Sequence, residues 1–517
     1  MARFLISTIF VLFPGLLSAE PYNTFDGPGF PACNDVARVD NPSTIDQTIA
    51  IVKNAFNTNT PVRASGKGHM WYDTMCSDDP RTVVIRTEAL SRITEFSLPS
   101  GASEGSVVFE AGVTFMQLAD YLHNRGASIG YTLVNWNITI AGSIAMGAHR
   151  SSLKNDSMVA AGALELHIVD GKGDLKVIKK GDTEEWSAAS TSLGLLGVIV
   201  KVKMKIYPEF KVLADQEILA EDKVLKGDIY GMIAPHATAN LWWWPHLKVF
   251  HRRWYDPIPA NSQSQEGFQS TFSITESDAN SGNNLLEAGK TSELSRTFAE
   301  SLFFGLWSLP NFRTKGSGLP ILFFPVYGWS HDVLIGGLYN DTLFEKFKTQ
   351  WDFGMRGLTL ELAFPMTRAN EVLQRVRKAF DDEKAIYNIT MTSTYRSGIN
   401  IKFGRPYFDF LGQVTNGTEG GADWSKGAIM FDFPTFRPAD GIRFNEPFYK
   451  RLAEALVTEF PCRPHWSKNT REVFSLTVAK NRFNPDYLAR FKTVRQAFDP
   501  KGIFKSVVGE TLGLYST

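Results

Sequence analysis

Four short stretches of this 517-residue chain hold residue types at spacings that can do chemistry. The first is Ser65, Gly66, Lys67, Gly68 and His69, directly after a β-type run at residues 61–64. Two glycines free the backbone there. Several N–H groups can then converge on an anion such as a pyrophosphate, which needs donors more than side chains. The stretch is not a dinucleotide fingerprint: Trp71 stands where the third glycine would be, and no clean helix follows. An ordinary glycine-rich turn with a structural His69 also fits it. The second stretch, residues 141–149, sets Gly142, Ser143, Gly147, Ala148 and His149 among other small side chains. Such density lets a backbone approach a flat ring or a phosphate, or simply makes a tight core turn. The third, residues 192–200, is a glycine-rich turn feeding an apolar run that contains Gly197 and Ile199. It can lay main-chain amides along a buried heterocycle, or form a buried hairpin. The fourth is Arg463, Pro464, His465, Trp466, Ser467 and Lys468, where a histidine and a lysine can both reach one pocket. Its alternative is a surface turn around a buried tryptophan.

These stretches need elements to hold them. Residues 42–57 read as a helix capped near Thr44, with Ile45, Ile49 and Val52 at helical spacing. Strands are predicted at 82–86 and 106–111, a helix at 115–124, a hairpin around residues 170–173, and a long β run ending near 206. Strands and helices mix here without a regular βαβ repeat, which argues for an α+β architecture. Pro208 marks a boundary. Beyond it, strands are expected at 240–244, 359–364, 399–403 and 428–433, and helices at 368–380 and 447–460. Residues 258–294, rich in Ser, Asn, Gln and Glu, read as a long surface loop or insertion.

Composition bounds the function. The length predicts two or three domains. With 43% apolar and 21% charged residues the chain is an ordinary globular sequence, not a disordered one. Basic and acidic side chains balance at 54 each, and no long basic run exists, which excludes a nucleic-acid binder. The nine histidines show no metal-ligand spacing, so no metal site is expected. Arg3, the apolar residues 4–17 and the small pair Ser18, Ala19 form a secretory signal pattern at residues 1–19. The run is too short for a membrane span and carries Pro14, so membrane association is not otherwise indicated. Glycosylation sequons stand at Asn137, Asn155, Asn340, Asn388 and Asn416. Three cysteines allow one disulfide, for which Cys33 and Cys76 in turn-rich sequence are the expected pair, leaving Cys462 buried and free.

Taken in this order and spacing, the four stretches resemble the FAD-linked sugar-lactone oxidases, the aldonolactone oxidoreductases of the vanillyl-alcohol oxidase superfamily. The resemblance covers residues 30–210, returns at Leu241 to His246 and Glu361 to Pro365, and is slight between 255 and 345. Its most specific part is His465, Trp466, Ser467, Lys468, against a His-Trp-X-Lys signature; the ending from Phe498 to Phe504 fits as well. The resemblance implies a two-subdomain FAD-binding domain of the PCMH or vanillyl-alcohol oxidase type at residues 20–211. An antiparallel-sheet substrate cap would follow at 212–517, its C-terminal segment returning to the flavin.

Ser65, Gly66, Lys67, Gly68, His69 and Met70 would then hold the pyrophosphate, with His69 the candidate for a covalent bond to the flavin. Gly142, Ser143, Gly147, Ala148, His149, Gly197 and Ile199 would line the cofactor. The substrate would be a sugar-derived 1,4-lactone of the D-arabinono, gulono or glucono class. It would be oxidised by hydride transfer, with molecular oxygen or another acceptor taking the electrons. Lys468 or His465 would take the hydroxyl proton, and Lys402 would place positive charge beside the flavin. Three departures stand out. Met70 replaces a usual serine, Asn400 and Lys402 stand at a usual Glu-X-Arg pair, and Leu133 falls where oxidases carry a small residue that admits oxygen. An oxidase of alditols or other carbohydrates, and a secreted carbohydrate-binding protein without turnover, are the alternatives.

Overall fold

The computed structural model describes residues 20–23, 32–100, 104–130, 137–181, 183–269, 276–335, 356–387, 398–437, 439 and 446–515. The signal segment, Leu133, Asn340 and Asn388 lie outside the described residues.

A small parallel sheet opens the fold. The strand Arg38–Asp40, the helix Ile45–Thr58 and the strands Val62–Ser65 and Val83–Arg86 form it, with Val83–Arg86 in the centre. Thr44 caps the helix by accepting the Gln47 N–H, and Asn59 ends it at φ 50°. Val52 and Ala55 pack with Val62, Ile85, Val198 and Val200, so the last strand of the next subdomain closes this core. That next subdomain is a six-stranded antiparallel sheet around Ala163–Val169, Val198–Pro208 and Gly105–Glu110. The predicted hairpin is present, Ala163–Val169 pairing with Leu175–Lys179. The α+β architecture is therefore the one expected.

The third layer is an eight-stranded antiparallel sheet. It runs from Val326–Trp329 through Lys211–Ala220, Val249–Ile258, Thr238–Trp244, Ile399–Gly404, Ala428–Phe436 and Gly357–Pro365 to Arg463–Pro464. Strand alternation gives it two unlike faces. Leu241, Trp243, Leu362, Ile401, Phe431 and their row-mates pack on the helices Ala369–Tyr387 and Glu446–Glu459. Asn240, Trp242, Asn400, Lys402 and Asp432, one residue out of phase, face a cavity instead. The C-terminal segment then crosses back. Trp466, Phe474, Phe483, Phe491 and Phe498 share a core with Phe109, Leu166 and Val202 of the six-stranded sheet.

One expectation fails. Residues 258–294 are not a long loop: they hold the strand Gly267–Gln269, the helix Glu276–Ala288 and the start of a helix Glu293–Ser308. Ala279, Asn283 and Leu286, at helical spacing, form the first helix's buried side, and Ser292 caps the second by accepting the Ser295 N–H. The polar composition reflects the exposed sides and hid this period. Cys33 and Cys76 form the expected disulfide, and Cys462 is free and buried.

Candidate active site

A cavity of about 1150 Å³ opens between the first two subdomains and the polar face of the cap sheet. Its volume exceeds the usual range of small-ligand pockets, about 300–1000 Å³. One wall is built from small residues. A Cβ on Gly66 would stand 2.1 Å from Thr139 Oγ1, and one on Gly142 2.8 Å from the same atom, so the first two stretches meet over Thr139 only because both are glycine. Gly197 is at φ 138°, and a Cβ there would lie 2.1 Å from the Val169 carbonyl oxygen. This cradle fits a long, flat, phosphate-bearing cofactor such as FAD. Ser65, Gly66, Lys67, Gly68, His69 and Met70 line it on one side. Gly142, Ser143, Ala148, His149, Gly197 and Ile199 line it on the other. Gly147, between Met146 and Ala148 of the lining, is not itself part of it. At φ 63° it turns the chain behind the wall, where a Cβ would lie 3.0 Å from Thr191 Cγ2 and 3.7 Å from Trp466 Cδ1.

The fourth stretch reaches the same cavity because Trp466 anchors it. Its Nε1–H donates to the Leu411 carbonyl at 2.7 Å, and its ring stacks between Phe474 and Phe483. Arg463 fixes the entry, its Nη2 donating to both carboxylate oxygens of buried Glu419 at 2.8 and 2.7 Å. The Trp71 N–H donates to the Ser467 carbonyl at 3.0 Å, tying the His69 loop to this segment.

Opposite the cradle lies a charged cluster. Lys468 Nζ donates to Glu361 Oε2 at 2.6 Å and Asp432 Oδ2 at 2.8 Å; Lys402 Nζ donates to the same two oxygens at 3.2 and 2.8 Å. His149 Nε2 meets Glu361 Oε1 at 2.5 Å. Register explains the convergence: Trp242 stands opposite Asn400, Asn400 opposite Asp432, and Asp432 opposite Glu361. Two ammoniums thus neutralise two carboxylates. Burial works against charge at Glu361, but Lys402 and Lys468 outweigh it and hold the carboxyl well below its usual range. Asp432 is lowered by the same pair against its own desolvation. Burial also opposes the Lys468 charge, yet Asp432 and Glu361 raise its pKa above the ordinary lysine value. Burying such a cluster contributes little net stability, which points to chemistry as its use.

The two side chains expected to take the hydroxyl proton differ in charge. Lys468 is an ammonium for the reason just given. His465 is held neutral, its pKa pushed well down by burial. Its Nδ1 accepts the Ser467 N–H at 3.2 Å, so the ring's one proton sits on Nε2. His69 is likewise neutral, lowered by burial and then by Lys468.

Asp432 and Glu361 were not singled out as site residues from sequence. A signal exists in hindsight: each is a lone acid at the centre of an apolar strand, Gly357–Pro365 or Ala428–Phe436, where an uncompensated charge is costly. The lost acid of the Glu-X-Arg pair is made good one strand over, Asp432 facing Asn400. His149, Glu361 and His465 also bring three possible metal ligands within 4.8 Å, a grouping that linear spacing hid because three separate segments supply it. The ammoniums of Lys402 and Lys468 already occupy Glu361 and would repel a divalent cation, so the cluster reads as an ion-pair network.

The cradle and the polar-faced cap sheet define an FAD-dependent oxidoreductase. Comparison with known proteins agrees. The FAD binding domain family matches residues 36–179, and the D-arabinono-1,4-lactone oxidase family matches residues 339–511. The chain is 24% identical to L-gulonolactone oxidase 5 of Arabidopsis thaliana, over 91% of this chain and 79% of that one. It is 24% identical to D-arabinono-1,4-lactone oxidase of Kluyveromyces lactis, over 90% of this chain and 91% of that one. In fold it is similar to a solvent-stable cholesterol oxidase, with TM-score 0.71 at 15% identity over 96% of this chain and 98% of that one. It is also similar to xylooligosaccharide oxidase from Myceliophthora thermophila C1, with TM-score 0.59 at 11% identity over 92% and 93% of the two chains. The chain is thus similar to sugar-lactone oxidases over about nine-tenths of its length.

Proposed function

We propose that the protein oxidises a hydroxyl of a sugar-derived 1,4-lactone of the D-arabinono, gulono or glucono class. Bound FAD supplies the two-electron acceptor for the hydride that leaves the hydroxyl-bearing carbon, and molecular oxygen takes the electrons on to hydrogen peroxide. The observation that carries this reading is the charged cluster on the cap sheet, facing the small-residue cradle across one cavity. Among the described residues lining that cavity, Asp432 is the one carboxylate, and it is ionised. We assign it as acceptor of the hydroxyl proton. Lys402 and Lys468 hold the substrate oxygen and stabilise negative charge as that proton leaves. Asn240 and Asn400, with Nδ2 to Oδ1 at 3.5 Å, offer amides to the remaining hydroxyls. His465 donates through Nε2.

The test is oxidation of D-arabinono- and L-gulono-1,4-lactone by the holoprotein, wild type against Asp432→Asn and Lys468→Ala. Each variant is expected to lose about 100- to 10,000-fold in kcat with FAD retained. Unchanged turnover in Asp432→Asn removes it as the base.

The neutral lone pair of His69 also supports a covalent bond to the flavin. Colour that stays with acid-precipitated protein, and is released in His69→Ala, is expected; flavin left in the wild-type supernatant excludes the bond. We further infer export, supported by the Cys33–Cys76 disulfide. Asn416 is exposed, whereas Asn155 Nδ2 already donates to the Ala237 carbonyl at 3.1 Å, so Asn416 is the better glycan acceptor of the two. Protein expressed with the full chain is expected in the medium, with a mass shift that Asn416→Gln reduces; retention inside the cell contradicts export.

A further inference from the structure

The helix Glu293–Ser308 presents two unlike sides. Arg296, Ala299 and Glu300 are buried. Its C-terminal end is pinned to the cap sheet: Trp307 stacks on Trp242 at 4.5 Å, and Ser308 Oγ meets His251 Nε2 at 2.9 Å. Along another side Leu294, Phe298, Leu302 and Leu306, four residues apart, stand 79, 60, 42 and 46% exposed. Scattered surface leucines need no explanation, but a continuous apolar ridge does. Three of its four members, Phe298, Leu302 and Leu306, also line the active-site cavity, joined there by Leu285, Leu286 and Leu334.

The cavity therefore has two ends of opposite character. One holds Lys402, Asp432 and Lys468; the other is a largely apolar annex open to solvent along the ridge, with Arg253 also in the lining, its guanidinium turned to the Trp307 and Leu309 carbonyls at 3.0 and 3.2 Å. Trp242 joins them, opposite Asn400 in strand register and stacked on Trp307 of the helix. A free aldonolactone is polar all round and has no use for the second end. We propose that the annex binds an acyl or alkyl chain carried by the same substrate whose sugar hydroxyl is oxidised at the polar end. The substrate class is then an amphipathic sugar derivative. This rests on the sugar-hydroxyl reading above.

The test uses alkyl glucosides from methyl to octyl, kept below their micelle concentrations and titrated calorimetrically into the holoprotein. The dissociation constant is expected to fall with chain length, by up to about fourfold for each fully buried methylene. The heat capacity of binding should become more negative in step. The Phe298→Ser, Leu302→Ser double variant should flatten this dependence. Leu322→Ser with Phe323→Ser, 56 and 80% exposed in the wild type and outside the cavity lining, should keep it. Affinity independent of chain length overturns the proposal. So does a dependence that survives the first double variant, or one that the second pair abolishes as well. Lactone turnover failing while the chain-length dependence persists would sink the lactone reading alone; intact turnover with flat affinities would sink the annex alone.

Discussion

At the scale of single residues, the account turns on which groups hold protons. Lys468 lies within 2.8 Å of both carboxylates and Lys402 within 3.2 Å, so each ammonium is shared rather than free. Removing Lys468 leaves Glu361 and Asp432 with one counter-charge between them, and the carboxyls should then be easier to protonate. The acidic limb of the kcat profile is accordingly expected to move to higher pH in Lys468→Ala, and to return toward the wild-type position in Lys468→Arg. A limb that stays in place shows that the lysine does not set the charge of the base. His465, Lys468 and His69 were legible in the sequence because they sit in dense local motifs. Asp432 and Glu361 were not. Each acts through partners on other strands, and only sheet register brings those partners together.

At the scale of elements, period-two alternation is what builds the site. The same strands that bury Leu362, Ile401 and Phe431 against helices turn Asn400, Lys402 and Asp432 to the cavity. Most of these strands were readable as apolar runs, and their boundaries held within a few residues. The paired helices Glu276–Ala288 and Glu293–Ser308 were not, because their exposed sides are polar in the first and their apolar side unburied in the second.

His251 joins this helix pair to the sheet. Its Nδ1 accepts the Trp244 Nε1–H at 2.9 Å, and burial with nearby Arg253 pushes its pKa down to about 4. The unfolded chain binds a proton at this residue near pH 6.5, before the folded chain does. Its contribution is therefore present above that value, is lost as pH falls toward about 4, and changes no further below. His251→Gln should reduce the slope of the urea midpoint against pH across this window by the uptake of one proton. An unchanged slope contradicts the neutral, buried state.

At the scale of the molecule, two halves of different origin in the chain enclose one cavity, and the C-terminal segment locks them. Trp466 lies in the core of the six-stranded sheet while Arg463 pairs in the cap sheet, so the segment carrying His465 and Lys468 is held from both sides. The expected division of the chain rests on the glycine-rich stretches and the ending from Phe498 to Phe504, each of which matches a known pattern. The sequence could not supply the apolar annex, which depends on where a helix outside the resemblance comes to rest.

The most direct measurement is anaerobic mixing of the purified holoprotein with D-arabinono- or L-gulono-1,4-lactone, following the visible flavin band. The account predicts rapid bleaching in the wild type, recovery of the band when oxygen is admitted, and bleaching slowed about 100-fold or more in Asp432→Asn. A flavin band that no sugar lactone bleaches, in protein that binds FAD normally, would contradict it.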